Sequence, residues 1–557
     1  MRPQLVNRRI RLLLLTLVLA FGGLLARAAW IQGVTAASLS RMAQSQQHED
    51  VTIPAGRGTI YDRMGVQLAL GEQATTVYAD PRQIRDARRA AAVASRVLGL
   101  DPATTYDALR DRSRGFVYVA RKADPSRASA LAKRDLTGFN FYGEERRSYP
   151  QHTVAAQVLG FAGTDNHGLA GLELQLDHEL SGRNGHQTIV KDPTGRVLNV
   201  VDDVPERQGR DAYLTLDHAI EASAEQVLRR TISRWHAKAA TAVVLDPRTG
   251  GVLAMAVEPA FDANQYPAAP AEMQKNRAVT DLYEPGSTFK LVTVAGALSD
   301  RLVTPHSSFT LPYSLRVADR VVHDAELRGT ERMSVSEILA RSSNIGAITL
   351  AKLLGKDRLL GWIKRFGFGR STGIDFPGES AGLLPGYWSG STIGNVPIGQ
   401  GIAVTPIQMA SLYATIANGG EWVRPHLVDH IQGLRPRAPE RRRVVSRLVA
   451  AQLMTMLKGV VAEGTGMSAA VPGYQVAGKT GTAQKPDGHG GYATGRYVAS
   501  FVGIVPASAP KLVILVMVDE PRGGIFGGEV AAPAFQEIAS SALQYLAIPP
   551  DGPPAAP

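Results

Sequence analysis

The stretch Tyr283-Glu284-Pro285-Gly286-Ser287-Thr288-Phe289-Lys290 decides how the rest of this 557-residue chain is read. Pro285-Gly286 stops whatever precedes it. Leu291-Val292-Thr293-Val294-Ala295-Gly296-Ala297-Leu298 then continues apolar, so a core helix is predicted to open at the serine. Side chains three apart on a helix are neighbours, which brings the Lys290 amine within reach of the Ser287 hydroxyl. Taken alone, the tetrad also suits a plainer alternative, a serine N-cap followed by a lysine whose stem lies along apolar surface. A second SxxK, Ser508 to Lys511, serves as a control: Pro510 inside it and the strand that follows keep its two ends off one helical face.

Two further motifs give the first one its meaning. Ser342-Ser343-Asn344 follows the helical stretch Val335 to Ala340. Lys479-Thr480-Gly481-Thr482 follows the strand-like Tyr474 to Ala477. SxxK, SxN and KTG in that order form the signature shared by penicillin-binding proteins and class A β-lactamases. A serine hydroxyl is a poor nucleophile until a base takes its proton. Lys290 qualifies as that base if its pKa falls from about 10.4 towards 7 or 8. Burial and repulsion from Lys479 both push in that direction. In this scheme Ser287, Lys290, Ser342 and Lys479 are catalytic, with Ser342 relaying protons. Asn344 orients Lys290 or the substrate backbone. Thr480, Gly481 and Thr482 are substrate-binding, with Lys479, Thr480 and Thr482 holding a terminal carboxylate, while the N–H groups of Ser287 and Thr482 form an oxyanion hole.

Composition narrows the remaining chemistry. The chain has no cysteine, which excludes disulfides, thiol catalysis and Cys-ligated metals. No metal or cofactor is expected. The net charge of +11 comes without a groove-reading or base-stacking motif, so a basic surface facing anionic lipid or wall polymer is expected rather than nucleic acid. The HxxxH pair His426 and His430 lacks the glutamate of a zinc protease and reads as ordinary strand or loop. Arg435, Arg437 and Arg441-Arg442-Arg443 read as a solvated loop, with an anionic lipid or protein contact as the alternative.

At the N-terminus, Arg2, Arg8, Arg9 and Arg11 precede fifteen uncharged residues, Leu12 to Ala26, and the apolar character resumes after Arg27. Residues 12–34 predict a transmembrane helix of about 34 Å, enough for a hydrocarbon core of about 30 Å. Ala26-Arg27-Ala28 leaves a cleaved signal peptide open as the alternative. The basic leading side places the N-terminus in the cytoplasm and the bulk outside, as a single pass through a bacterial cytoplasmic (inner) membrane.

Beyond the anchor, residues 75–79 and 116–120 read as strands, and residues 88–98 and 127–131 as helices. His218 to His236 is a long amphipathic helix. Thr241 to Leu245 and Val252 to Val257 form a hairpin around Pro247-Arg248-Thr249-Gly250-Gly251. Tyr497 to Val505 and Lys511 to Val518 are strands, and Ala532 to Tyr545 a final helix. Strands at both ends with helices between them predict an α+β fold: one central antiparallel sheet drawing strands from both ends, with a helical lobe inserted.

From about Arg57 to Tyr545 the chain resembles the class B penicillin-binding proteins, the monofunctional D,D-transpeptidases of peptidoglycan synthesis. Arg57-Gly58-Thr59-Ile60-Tyr61-Asp62-Arg63-Met64-Gly65 is similar to the family's RGxIxDRxG box. Arg147-Ser148-Tyr149-Pro150 and Gly168-Leu169-Ala170-Gly171-Leu172-Glu173 match two more. The resemblance implies a cytoplasmic tail (1–11), an anchor (12–34), a non-catalytic pedestal (35–210) whose boxed residues are structural, a transpeptidase domain (211–547) and a Pro-rich disordered tail (548–557). It implies cross-linking of stem peptides, a D-Ala-D-Ala donor and an acceptor amine, through a serine acyl-enzyme that β-lactams trap.

Residues 27–32, the Phe366–Gly369 and Gly378–Gly382 stretches and residues 492–505 resemble the division-type branch. Its partners would be a SEDS-family glycosyltransferase and other division proteins. The alternatives are an elongation-type transpeptidase, a D,D-carboxypeptidase, a β-lactamase or a penicillin-sensing receptor. A class A β-lactamase needs a glutamate in an ExxxN loop between SxN and KTG; Glu379, Glu421, Glu440 and Glu463 all lack the asparagine.

Overall fold

A computed structural model describes residues 3–34, 48–191, 197–436, 438–488 and 491–552. The chain divides into two compact units, residues 1–56 with 182–209, and residues 57–181 with 210–557. The first holds a helix, Pro3–Gly33, in which Arg8–Gly33 is long and apolar enough to cross a membrane. It also holds a three-stranded antiparallel sheet of His48–Ile53, Gly185–Lys191 and Val197–Val204.

In the second unit, Asp246 to Gly251 reverses the chain. The Asp246 carboxylate accepts the Arg248 N–H, and Gly250 takes φ +79°, which a residue with a Cβ rarely adopts. The strands on either side are β1 (Ala239–Leu245) and β2 (Val252–Glu258). They join β3 (Ala477–Pro486), β4 (Tyr492–Val505) and β5 (Leu512–Asp519) in one antiparallel sheet of order β2-β1-β5-β4-β3. The expected sheet is therefore present, with strands from both ends of this unit.

Every residue of β1, β2 and β5 is buried, because alternate side chains face two different cores. Ala242, Val244, Ile514 and Val516 meet the helices His218–Trp235 and Ala532–Tyr545. Val243, Leu245, Leu515 and Met517 meet the helical lobe on the other face. That lobe includes the helices Lys290–Ser299, Asn344–Leu354, Pro406–Ala417 and Arg447–Ala462.

A second sheet runs Val428–Ile431, Ala212–Leu214, Ile60–Tyr61, Gln67–Ala79 and Val117–Ala123, with Phe139–Ser148 also on Gln67–Ala79. The helices read at 88–98 and 127–131 are Ala87–Leu98 and Pro125–Ala132, each opened by an aspartate that accepts backbone N–H groups, Asp86 and Asp124. The boxed residues meet below this sheet. Arg57 Nε and Arg147 Nε donate to the two oxygens of fully buried Glu173 at 2.7 and 2.6 Å, and Arg57 also reaches Asp177 at 2.7 Å. His430 stacks on Tyr213, which stacks on Tyr61, with centroids 4.4 and 4.9 Å apart.

Two expectations are corrected. Arg441–Arg443 is a strand paired with Glu421–Val423, not a loop, with Arg442 lying over the Trp422 ring at 4.5 Å. Arg437 lies outside the described residues. Of the tail, Asp551 accepts the Gln475 and Ser508 N–H groups, and Ile548 accepts the Tyr474 hydroxyl, so these residues are held by hydrogen bonds; residues 553–557 lie outside the described ones.

Candidate active site

Ser287 sits in a single 3-10 turn, Gly286–Phe289, that runs directly into the helix Lys290–Ser299. No side chain caps either segment, which removes the N-cap alternative for the serine. Lys290 is 1 % exposed, so its amine does not reach water along an apolar face either. Nζ donates to the Ser342 carbonyl, to Ser342 Oγ at 3.2 Å and to Asn344 Oδ1 at 2.7 Å. The first two motifs thus meet at one nitrogen.

SxN is held in an uncommon backbone shape. Ser342 has φ +58°, a conformation that costs a residue with a Cβ about 1–3 kcal/mol and persists only where the surroundings impose it. Here the Ser342 and Ser343 N–H groups bond to the Leu339 and Ile338 carbonyls, ending one helix, while Ser343 Oγ caps the next. Beneath lies Asp324, which sequence reasoning missed. It accepts the N–H groups of Asn344 and Ile345 at 2.6 and 3.1 Å and the Ser343 hydroxyl, and it pairs with Arg328 at 2.9 Å. Asp324 lies in an irregular segment 34 residues after Lys290 and 19 before Ser343, and no local pattern marks it off from any other aspartate.

KTG lies on β3, the edge strand, rather than after a strand as expected; Tyr474–Val476, read as strand-like, precede it outside any strand. Lys479 is fully buried, and its Nζ donates to the Thr480 carbonyl and hydroxyl at 3.3 and 3.2 Å. Thr480 Oγ1 meets Thr465 Oγ1 at 2.8 Å, and Thr482 Oγ1 accepts the Gly527 N–H at 3.1 Å; neither Thr465 nor Gly527 was foreseen. Glycines let the serine turn approach this strand. A Cβ on Gly481 would stand 2.4 Å from Ser500 Oγ and 2.9 Å from the Pro285 carbonyl. One on Gly286, at φ +56°, would stand 2.6 Å from the Thr482 carbonyl. The turn carrying Ser287 therefore lies directly against the KTG strand. At the rim, Glu284 accepts from the Gly401 N–H at 2.8 Å and the Tyr492 hydroxyl at 3.0 Å, another contact the sequence reading lacked.

The electrostatics suit a base. Burial pushes Lys290 down to about 7, with Asp324 pulling the other way. Lys479 is driven well below its ordinary value, first by burial and then by the Lys290 charge. The expected depression of Lys290 is present and burial is its cause. The repulsion expected from Lys479 weighs instead on Lys479 itself. Both amines are buried and their charges repel, so the neutral form is favoured at this pair. Ser508 is bonded to Asp551 outside any helix, as the control required.

Comparison with known proteins bears on what this arrangement is. The penicillin-binding protein transpeptidase domain matches residues 240–540, and the penicillin-binding protein dimerisation domain matches residues 52–214. The peptidoglycan D,D-transpeptidase FtsI of Escherichia coli is 32 % identical over 98 % of this chain and 93 % of its own length. Stage V sporulation protein D of Bacillus subtilis is 34 % identical over 98 % and 87 %. Penicillin-binding protein 3 of Mycobacterium tuberculosis, solved with aztreonam, superposes with a TM-score of 0.71 at 31 % identity, covering 91 % of this chain and 99 % of that one. With its helix-to-strand site and near-complete coverage by these relatives, the chain belongs to the class B penicillin-binding proteins, the serine-type peptidoglycan D,D-transpeptidases.

Proposed function

We propose that Ser287 is the acylated nucleophile and Lys290 its base. The observation carrying this is the buried Lys290 amine, one turn from Ser287 and bonded to both Ser342 and Asn344. An ammonium has three protons, all engaged by the SxN segment; a neutral amine keeps two donors and frees a lone pair for the serine. The Ser287 oxygen attacks the penultimate D-alanine carbonyl while its proton passes to Lys290. The N–H groups of Ser287 and Thr482 hold the developing oxyanion. Collapse breaks the peptide bond, and the terminal D-alanine leaves with a proton returned through Ser342. An amine on a neighbouring stem peptide then displaces Ser287 and closes the cross-link. Lys479, Thr480 and Thr482 hold the donor carboxylate, and its negative charge favours the charged form of Lys479. β-Lactams occupy the donor place and remain attached. Fluorescent penicillin should label the wild type and leave Ser287→Ala unlabelled; label persisting on the variant would overturn the assignment.

The finer reading is septal. Resemblance to division-type proteins at residues 27–32, 366–369 and 378–382 supports it, as does the identity to FtsI. The sporulation relative is equally similar, so depletion has to decide. Filaments with unfinished septa are expected; rounded cells with normal septa would move the protein to side-wall synthesis. On this reading residues 35–210 serve as pedestal, residues 211–547 as transpeptidase, and a SEDS-family glycosyltransferase supplies strands. The helix over residues 12–34 anchors the chain with its N-terminus inside. A periplasm-dependent reporter after Gln46, outside the described residues, should be active and sediment with membranes.

A further inference from the structure

The second unit contains a cavity of about 220 Å³ that none of the SxxK, SxN or KTG residues lines. It opens between the Phe366–Gly373 segment, the start of the helix Pro406–Ala417 and the strand pair Glu421–Val423 and Arg441–Arg443. Three guanidinium groups border it, from Arg370, Arg424 and Arg442, against one carboxylate, Glu440, which leaves an excess of two positive charges. Among the described residues, the Nε atoms of Arg424 and Arg442 are both buried there without a hydrogen-bond partner. A buried guanidinium N–H left unpaired is costly, and native proteins rarely leave one so. Arg442 is otherwise fixed: it lies over Trp422 and donates to the Arg365 carbonyl at 2.5 Å. Burial and the Arg370 charge depress its pKa while Glu440 pulls the other way, so the one carboxylate on the wall offsets only part of the positive charge.

We propose that this cavity is an anion site that takes a phosphoryl group, independent of the Ser287 centre. Guanidinium forks match phosphate oxygens in pairs, and a dianion balances the excess of two charges better than a single carboxylate does. The volume lies below the 300–1,000 Å³ or so of drug-sized ligand sites, which fits one or two phosphates rather than a large molecule. The cavity also backs onto the nucleophile turn: the Phe368 ring on its wall meets the fully buried Phe289 edge-on at 5.1 Å. The phosphate comes either free in solution, as a dianion or more, or on a phosphodiester lipid headgroup, which carries one charge but still offers paired oxygens to a guanidinium fork.

Inorganic pyrophosphate titrated calorimetrically into the full-length, detergent-solubilised protein tests this. One equivalent should bind, and Arg424→Gln and the exposed Arg370→Gln should each weaken binding at least tenfold while keeping penicillin labelling, which shows that they fold. Arg441→Gln, outside the cavity, should bind as the wild type does. Displacement of pyrophosphate by phosphatidylglycerol but not phosphatidylcholine in the micelles identifies a headgroup as the occupant; no displacement identifies a free anion. No binding by the wild type, or binding unchanged in both cavity variants, overturns the site.

Discussion

At the scale of single residues, Lys290 suits the role of base proposed for it because of where its amine ends, not because of its identity. In the unfolded chain it titrates near 10.5; folded, burial brings it to about 7. The folded chain therefore binds fewer protons than the unfolded one between those two values. Lys290 costs the fold most below pH 7, by about 5 kcal/mol, and the cost is relieved as pH rises from 7 to 10.5. If Lys290 is the base proposed above, catalysis should follow the same titration. The acylation rate measured with fluorescent penicillin should climb about tenfold per pH unit below 7 and level off above it. Lys290→Met should lower the rate by about 10²–10⁴ at pH 8, the usual contribution of a positioned base. A flat profile from pH 5.5 to 8.5 would assign the base elsewhere.

At the scale of elements, the SxN turn is kept in place by Asp324 at the N-terminus of the helix Asn344–Leu354, where a negative charge is favoured. Asp324→Asn removes that charge and breaks the pair with Arg328, and losing one member of a buried pair costs about 3–5 kcal/mol. It also removes the group that holds the Lys290 pKa up. The variant should unfold earlier in urea, acylate more slowly at its optimum, and have its acid limb shifted below the wild-type midpoint. A slower rate with an unmoved midpoint would mean that Asp324 acts on position alone. The SxxK helix itself was legible, since its apolar run is continuous and follows a Pro-Gly break. Asp324 was not, because its partners belong to another helix and their meeting is a tertiary event.

The whole molecule depends on a second set of buried charges, in the helix His218–Trp235. Glu225 is 2 % exposed and accepts the Ala155 N–H at 2.8 Å, while Glu221 accepts the Met255 N–H, tying distant segments to one helix. Burial first, and then Glu258, push Glu225 up to about 8; burial and the Glu225 charge raise Glu221 well above its ordinary value. Between pH 4.5 and about 8 the folded chain thus binds more protons than the unfolded one, so stability falls as pH rises through that window. For Glu225 the slope is at most about 1.4 kcal/mol per pH unit. In Glu225→Gln, which keeps an acceptor for Ala155, the loss of melting temperature between pH 5.5 and 8.5 should shrink. An unchanged loss would exonerate this carboxyl.

The sequence alone determined the order of the three motifs, the helix that follows SxxK and four of the five strands of the central sheet. Each of these is written in local periodicity and turn chemistry: a Pro-Gly break, an apolar helical run, and strands whose unbroken hydrophobicity reflects burial on both faces. What only the tertiary structure decided are relations between distant segments. Lys290 meets Ser342 and Asn344 across 52 and 54 residues, Asp324 lies beneath them, and Val428–Ile431 completes a sheet begun at Ile60. The depressed Lys290 pKa belongs to this second class as well. Burial is a property of the packed neighbourhood, and no window of sequence contains it.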